Sequence, residues 1–317
     1  MLNNFFKRVK SAINNGRIKN FFYWITNIPS RIVVTNALIY QKCNKIRNNN
    51  LGDDINFYMI KELTSRPVIN YWDICRFGVF HINNYMCIGS ILEYMVTNDT
   101  IVWGAGALYG GDRRLKAVPK KILAVRGKLT REYLLNEGIK CPEVYGDPAL
   151  LLPFIIKCNY SKKYKLGIIP HYVDLNNKKI IKYISSNPDA ILIDFRNYDN
   201  WKQPIELINQ CETIVSSSLH GLIISDAYGI PNMRMVLSDN ITGGNFKYLD
   251  YYSAVGKKMD KETSLLDFRN ESDLFYVDCE MIKNNYIPIQ YDYKPLIESC
   301  PFLNLEERKN LLNKIHT

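Results

Sequence analysis

Residues 213–231, TIVSSSLHGLIISDAYGIP, gather the residue types that could do chemistry. Ser216, Ser217 and Ser218 stand between an apolar run, expected as a strand over 213–215, and a helix expected to open on Leu219, His220 and Gly221. Gly229 suits a left-handed helix cap, and Pro231 cannot continue a helix. Such a turn would offer hydroxyls and unpaired N–H groups at the positive end of a helix dipole, a site for an anion. His220 adds an imidazole, the side chain that moves protons near neutral pH. Together they suit transfer chemistry on a phosphorylated substrate. The same residues also make an ordinary cap and a solvated histidine.

The elements that must position this turn alternate along the chain. Helices are expected over 54–63, 130–137, 177–185 and 204–211, and strands over 100–103, 122–125, 166–169, 191–195 and 233–236. Residues 84–96 read as a buried helix or a strand–helix junction. Residues 303–315 read as a last helix. Alternation of this kind implies parallel sheets covered by helices, an α/β class. The polar, basic stretch 157–165 reads as a linker. The chain therefore divides into an arm (1–48), a Rossmann-like domain (49–158), a second Rossmann-like domain holding the donor site (159–300), and a terminal helix packing across both (301–317). In open parallel sheets, ligands sit beyond the carboxyl ends of strands. Gly104, Arg126, His171 and Ser216 follow expected strands and so belong along the cleft.

Composition narrows the function classes. An apolar share of 47% fits a packed globular protein of 317 residues. No apolar run reaches the length of a membrane span, and the first residues lack a secretory signal, so a cytoplasmic location is expected. Eight cysteines form no CxxC pair, and four histidines are not paired at helical spacing, so no metal is expected. The net charge of +10 is uneven: residues 1–50 hold nine Lys or Arg and no Asp or Glu. Phe5, Phe6, Phe21, Phe22, Tyr23 and Trp24 interleave with these charges, which suits an anionic membrane surface over residues 1–47. A basic helix packed on the protein by its aromatic side is the alternative. Nucleic acid is not expected, because no recognition motif follows.

Several stretches in order resemble the polysaccharide pyruvyltransferase family. They are Asn50-Leu51-Gly52-Asp53-Asp54-Ile55-Asn56, Ile88-Gly89-Ser90, Gly104-Ala105-Gly106, Val125-Arg126-Gly127, Gly146-Asp147-Pro148-Ala149, Ile169-Pro170-His171 and Ser216 through Pro231. The resemblance implies a GT-B-like pair of domains facing a cleft. It also implies transfer of the pyruvyl group of phosphoenolpyruvate to a sugar as a ketal, with the donor as substrate and no cofactor. The acceptor would be a bacterial cell-surface polysaccharide or its lipid-linked precursor. By the family's motifs, Arg126 would hold the donor and His220 would be the acid. Arg126→Ala is then expected to weaken donor binding more than folding.

Asp53 or Asp54 would be the base or would hold the acceptor sugar, with Asn56 near it, although the acidic pair also makes a helix cap. His171 would be a second acid or base, or simply a polar strand end. Gly104 and Gly106 would admit substrate closely, or make a tight turn. Some family members carry an arginine where this chain has Ser218; its role would pass to Arg113, Arg114 or Arg131, or to the serine turn with Leu219. A nucleotide-sugar glycosyltransferase of the same architecture and a non-catalytic assembly subunit are the rival readings.

Overall fold

A computed structural model describes residues 11, 13, 16–74, 81–257, 265–270 and 275–315. Two five-stranded sheets dominate, and every pairing within them is parallel. The first contains β1 (Val33–Thr35), β4 (Val68–Asn70), β5 (Asn84–Met86), β6 (Thr100–Trp103) and β7 (Lys121–Ala124), in the order β4-β1-β5-β6-β7. The second contains β8 (Tyr164–Ile169), β9 (Ala190–Leu192), β10 (Cys211–Ser216), β11 (Asn232–Val236) and β12 (Leu265–Asp267), in the order β12-β11-β10-β8-β9. Strands β2 (Tyr40–Lys42) and β3 (Lys45–Arg47) form a small antiparallel hairpin.

Counted within its own half, each sheet has the same winding. The second strand lies on one side of the first, and the third, fourth and fifth lie on the other. This order reverses between β1 and β5 in the first sheet and between β8 and β10 in the second. At such reversals the loops diverge and leave a crevice at the carboxyl ends. His171 follows β8 and the serine turn follows β10, so both reach the second crevice.

The two halves share apolar core. The Leu219–Ala227 helix packs on residues 148–151, and the Phe246–Val255 helix packs on the Lys128–Asn136 helix. One buried cluster runs from Leu51, Ile55 and Trp103 through Leu150 to Ile169, Leu222 and Tyr248. The chain end returns to the first sheet: Phe302 contacts the rings of Tyr85 and Trp103, and Trp103 Nε1 donates to Leu296 O at 3.0 Å.

Several expectations need revision. The arm drawn over 1–48 contains β1, whose three residues are buried between β4 and β5. Val-Val-Thr is a β-branched run, and its packing outweighs the basic residues around it. The aromatics of the Arg17–Thr26 helix split by face. Phe21, Tyr23 and Trp24 pack on the cluster around Val34, Ile69 and Tyr71, whereas Phe22 is 60% exposed. The buried Asn20 amide ties this helix down, donating to Gln41 O and Asp73 O and accepting from Cys43 N. Phe5 and Phe6 lie outside the described residues. The strand expected over 191–195 ends at Leu192, because the chain turns away and Phe195 O accepts the N–H of Leu51 at 2.8 Å. Residues 84–96 are a strand–helix junction, β5 followed by the Leu92–Met95 helix.

Candidate active site

The turn after β10 forms where expected. Ser218 is the N-cap of the Leu219–Ala227 helix, and its own hydroxyl makes no capping bond. Among the described residues, the N–H groups of Leu219, His220 and Gly221 have no backbone acceptor; the ladder begins with Leu222 N to Ser218 O. The three serines are not equivalent. Ser216 Oγ bonds to Ile169 O, Ser218 O and Ser218 N, and Gly221 leaves it room, since a Cβ there would stand 2.3 Å away. Ser217 Oγ accepts the N–H of His171 at 2.8 Å. Ser216 and Ser217 therefore hold the loop together, and only the Ser218 hydroxyl is left for a ligand. A shallow cleft lies beside it, lined by Asn50, His171, Tyr172, Asp194, Arg196 and Ser218.

His220 lies at the junction of the two halves. Its ring rests on Gly52, where a Cβ would come within 2.2 Å of Nδ1. Glycine in the Asn-Leu-Gly-Asp motif is thus a space requirement, met in the first turn of the Leu51–Thr64 helix. His220 Nε2 faces Asp147 Oδ2 at 3.7 Å, too far for a hydrogen bond. Both atoms are buried and without a hydrogen-bond partner among the described residues. Asp147 Oδ1 accepts the N–H of Ala149, which fixes the carboxylate. A buried unpaired donor–acceptor couple of this kind is uncommon in a finished core.

Asp53 borders the same space. Asn50 Nδ2 donates to it at 3.0 Å. Burial raises its carboxyl above the usual range, and the nearby His220 and Lys247 act in the opposite sense. Lys247, in the first turn of the Phe246–Val255 helix, is 6% exposed. No hydrogen bond from its Nζ exists among the described residues; its ring contact is Tyr248, at 5.3 Å. Burial, then Arg126 and Arg234, lower its ammonium to about 8. His171 is brought to about 4 by burial and by Lys247, so its ring is neutral at ordinary pH, with a buried, unbonded Nδ1.

Other expected site residues are engaged by the protein itself. Arg126 is fully buried. Its Nε donates to Asp250 at 2.8 Å, one terminal nitrogen to Ala107 O at 2.6 Å, and the other to Ser90 Oγ. Gly106 admits this guanidinium, since a Cβ there would lie 2.4 Å from Cζ. Gly104 has φ +99 and packs on Pro148. Asp54 accepts the N–H groups of Asn49 and Asn50 and the Tyr198 hydroxyl, and burial raises it to about 6. Asn56 pins Ile88 through both its N–H and its C=O. Arg113 is exposed over the Tyr109 ring at 4.5 Å, and Arg131 pairs with Glu143 at 3.1 Å.

The structure thus brings together His220, Asp53, Ser218 and His171, and adds Asp147 and Lys247. Gly-Asp-Pro announces a turn but not a partner for histidine. Lys247 stands in no motif, so only the fold reveals it. Among the described residues, no group of three or more His, Cys, Asp or Glu side chains is placed to hold a metal. No helix among them is long and apolar enough to cross a membrane.

The polysaccharide pyruvyl transferase family profile matches residues 88–239. Uncharacterized protein L143 of Acanthamoeba polyphaga mimivirus is 30% identical over 274 residues, 85% of this chain and 88% of that protein. Succinoglycan biosynthesis protein ExoV of Rhizobium meliloti (strain 1021) is 26% identical over 221 residues, 66% of this chain and 63% of ExoV, just under two thirds of its length. No solved structure matches. With its motifs in order and its relatives covering most of its length, the chain belongs to the polysaccharide pyruvyl transferase family.

Proposed function

We propose that this protein transfers the pyruvyl group of phosphoenolpyruvate to two hydroxyls of a sugar, forming a ketal and releasing phosphate. The observation that carries this reading is the buried, unbonded His220–Asp147 couple beside Asp53, at the open N-terminus of a helix. With Nε2 turned to Asp147, Nδ1 over Gly52 is the nitrogen left to handle a proton. His220 protonates the donor methylene carbon, and C2 becomes electrophilic. Asp53 takes the proton of the first sugar hydroxyl as its oxygen bonds to C2. The second hydroxyl then bonds to C2, the C2–O(phosphate) bond breaks, and phosphate departs with its electron pair and the second hydroxyl's proton. The proton collected by Asp53 balances the one delivered to the methyl group. Helix N–H groups and Ser218 stabilise the phosphate as it gains charge.

The family's name and that of ExoV support a polysaccharide as acceptor; its lipid-linked precursor is our own extension of that reading. The repeated winding of the two sheets supports a GT-B-like pair of units, meeting near 157–165, with β1 assigned to the first. Incubation with phosphoenolpyruvate and a panel of lipid-linked sugars tests the function. A product heavier by pyruvate less water, with stoichiometric phosphate, is expected. Turnover of a nucleotide sugar instead, or no turnover on any acceptor, would count against it.

A peripheral position on the cytoplasmic membrane surface is favoured by one observation. Phe22, Ile25 and Ile28 are exposed on and just after the Arg17–Thr26 helix, near Arg17, Lys19 and Arg31. Replacing these three apolar residues by serine should spare folding and weaken binding to anionic vesicles; unchanged binding would remove the membrane role. Deleting residues 1–47 is unsuitable as a test, because it removes β1.

A further inference from the structure

We propose that the shallow cleft beside Ser218 is the acceptor subsite, where Tyr172 is the platform for one pyranose ring and Asn50, Asp194 and Arg196 take its hydroxyls. The assignment rests on the reaction proposed above and adds where the sugar lies. Both halves build the cleft: Asn50 precedes the Leu51–Thr64 helix, Tyr172 follows β8, and Asp194 and Arg196 follow β9. A pyranose has a weakly polar face of C–H groups and a rim of hydroxyls. It suits an open aromatic ring flanked by planar polar side chains. Tyr172 is 48% exposed. Arg196 Cζ stands 5.8 Å from the centre of its ring, near the outer reach of a cation–π contact. The Arg196 guanidinium has no hydrogen bond or ion pair among the described residues, so its donors remain for a ligand.

The backbone of the cleft is fixed in advance, which lowers the ordering cost of binding. The His171 N–H is held by Ser217 Oγ, and the His171 ring lies 4.3 Å from that of Tyr172. Asp194 Oδ1 accepts the N–H of Arg196 at 2.7 Å. The loop carrying both is tied to the other half, with Phe195 O accepting from Leu51 N and Tyr198 O from Asn48 Nδ2, each at 2.8 Å. Two lining residues also join the cleft to the chemistry. Asn50 donates to Asp53, the proposed base, at 3.0 Å, and Ser218 caps the helix whose N–H groups face the donor phosphate. A sugar in the cleft thus adjoins both the base and the donor turn. Tyr94 of the first half borders the same region: burial raises its hydroxyl, and Asp53, Glu93, Tyr109 and Tyr172 act in the same sense. The donor itself fits the cleft poorly. Phosphoenolpyruvate has no extended apolar face, and the Asp194 carboxylate opposes its charges but accepts sugar hydroxyls.

Saturation-transfer NMR on the full chain, with a panel of oligosaccharides cut from bacterial polysaccharides, tests the proposal; calorimetric titration with phosphoenolpyruvate is run separately. Saturation should pass to the C–H groups on one face of a pyranose in at least one member of the panel. Tyr172→Ala should bind that oligosaccharide roughly tenfold more weakly, and Tyr172→Phe, which keeps the ring, should bind it near wild type. Asp194→Asn and Arg196→Gln should each weaken it by roughly threefold to tenfold. All four variants should keep the wild-type Tm and phosphoenolpyruvate Kd, because the altered side chains lie at the open surface of the cleft. No oligosaccharide binding by wild type, or equal binding by wild type and Tyr172→Ala, would overturn the subsite and leave the donor reading standing. So would a Tyr172→Ala variant that loses phosphoenolpyruvate, since the cleft would then belong to the donor. A wild type that binds the oligosaccharide through Tyr172 but never binds phosphoenolpyruvate would overturn the donor reading and keep the sugar subsite.

Discussion

Arg126 and His220 both follow strands, both come from motifs and both are buried, yet their surroundings differ. Around Arg126 every polar group has a partner: Asp250, Ser90, Ala107 O and Thr130 close a complete network. Around His220 the network is left open, with Nε2 and Asp147 Oδ2 buried and unbonded among the described residues. A satisfied buried network is rigid and specifies structure, whereas unsatisfied buried groups are held ready for something absent. The motifs point equally to both regions. Hydrogen-bond partners separate the brace from the proposed reactive centre.

His220→Asn should open the widest gap between the two regions. Asparagine keeps polarity but cannot deliver a proton, so kcat should fall by ~10²–10⁴-fold with donor Kd and Tm little changed. Turnover near wild type would move the acid elsewhere. Arg126→Ala should do the reverse. It strands Asp250 in the core, and breaking a buried pair costs about 3–5 kcal/mol, so the loss should appear in denaturant unfolding. This replaces the expectation that donor binding would suffer first. A stable variant with weakened donor binding would restore that expectation.

Asp147→Asn sharpens the contrast inside the active region. If Asp147 orients the imidazole, kcat should fall by ~10²-fold at nearly constant KM. A drop in stability with unchanged kcat would make it only a turn residue. The smallest effect concerns Asp54. Its folded pKa, about 6, lies above the unfolded value near 4, so the folded state holds the extra proton between them. The stability it contributes is therefore fully present below about pH 4 and lost as pH rises through about 6, at no more than about 1.4 kcal/mol per unit. Asp54→Asn should flatten that slope relative to wild type in chemical unfolding at pH 4 to 7. An identical slope in both proteins would show that Asp54 does not titrate in this window.

Much of the frame was legible because it rests on local rules. Gly138 and Gly229 adopt φ +75 and φ +65 after their helices, and Asn177 caps the Lys178–Ser186 helix through its side chain. Strand–helix alternation foretold parallel sheets. Strands β1 and β4 escaped notice because each has three residues, too few for a periodic signal, and β1 lies among basic residues. The serine turn was found, but side-chain direction is a tertiary property, and two of the three hydroxyls face inward. Asp54 and Asn56 looked like substrate contacts because polar residues crowd that motif, yet both brace loops. Asp147 and Lys247 were out of reach because packing between distant segments, not spacing, brings Asp147 to His220 and Lys247 near Asp53 and His171.

The central claim is that the open His220–Asp147 couple delivers a proton to the donor's methylene carbon. Running the transfer in D2O and analysing the product by mass and NMR tests this most directly. The account predicts a ketal whose methyl group carries one solvent deuterium, formed far more slowly by His220→Asn. An enol ether without deuterium, or a deuterated ketal made equally fast by His220→Asn, would contradict it.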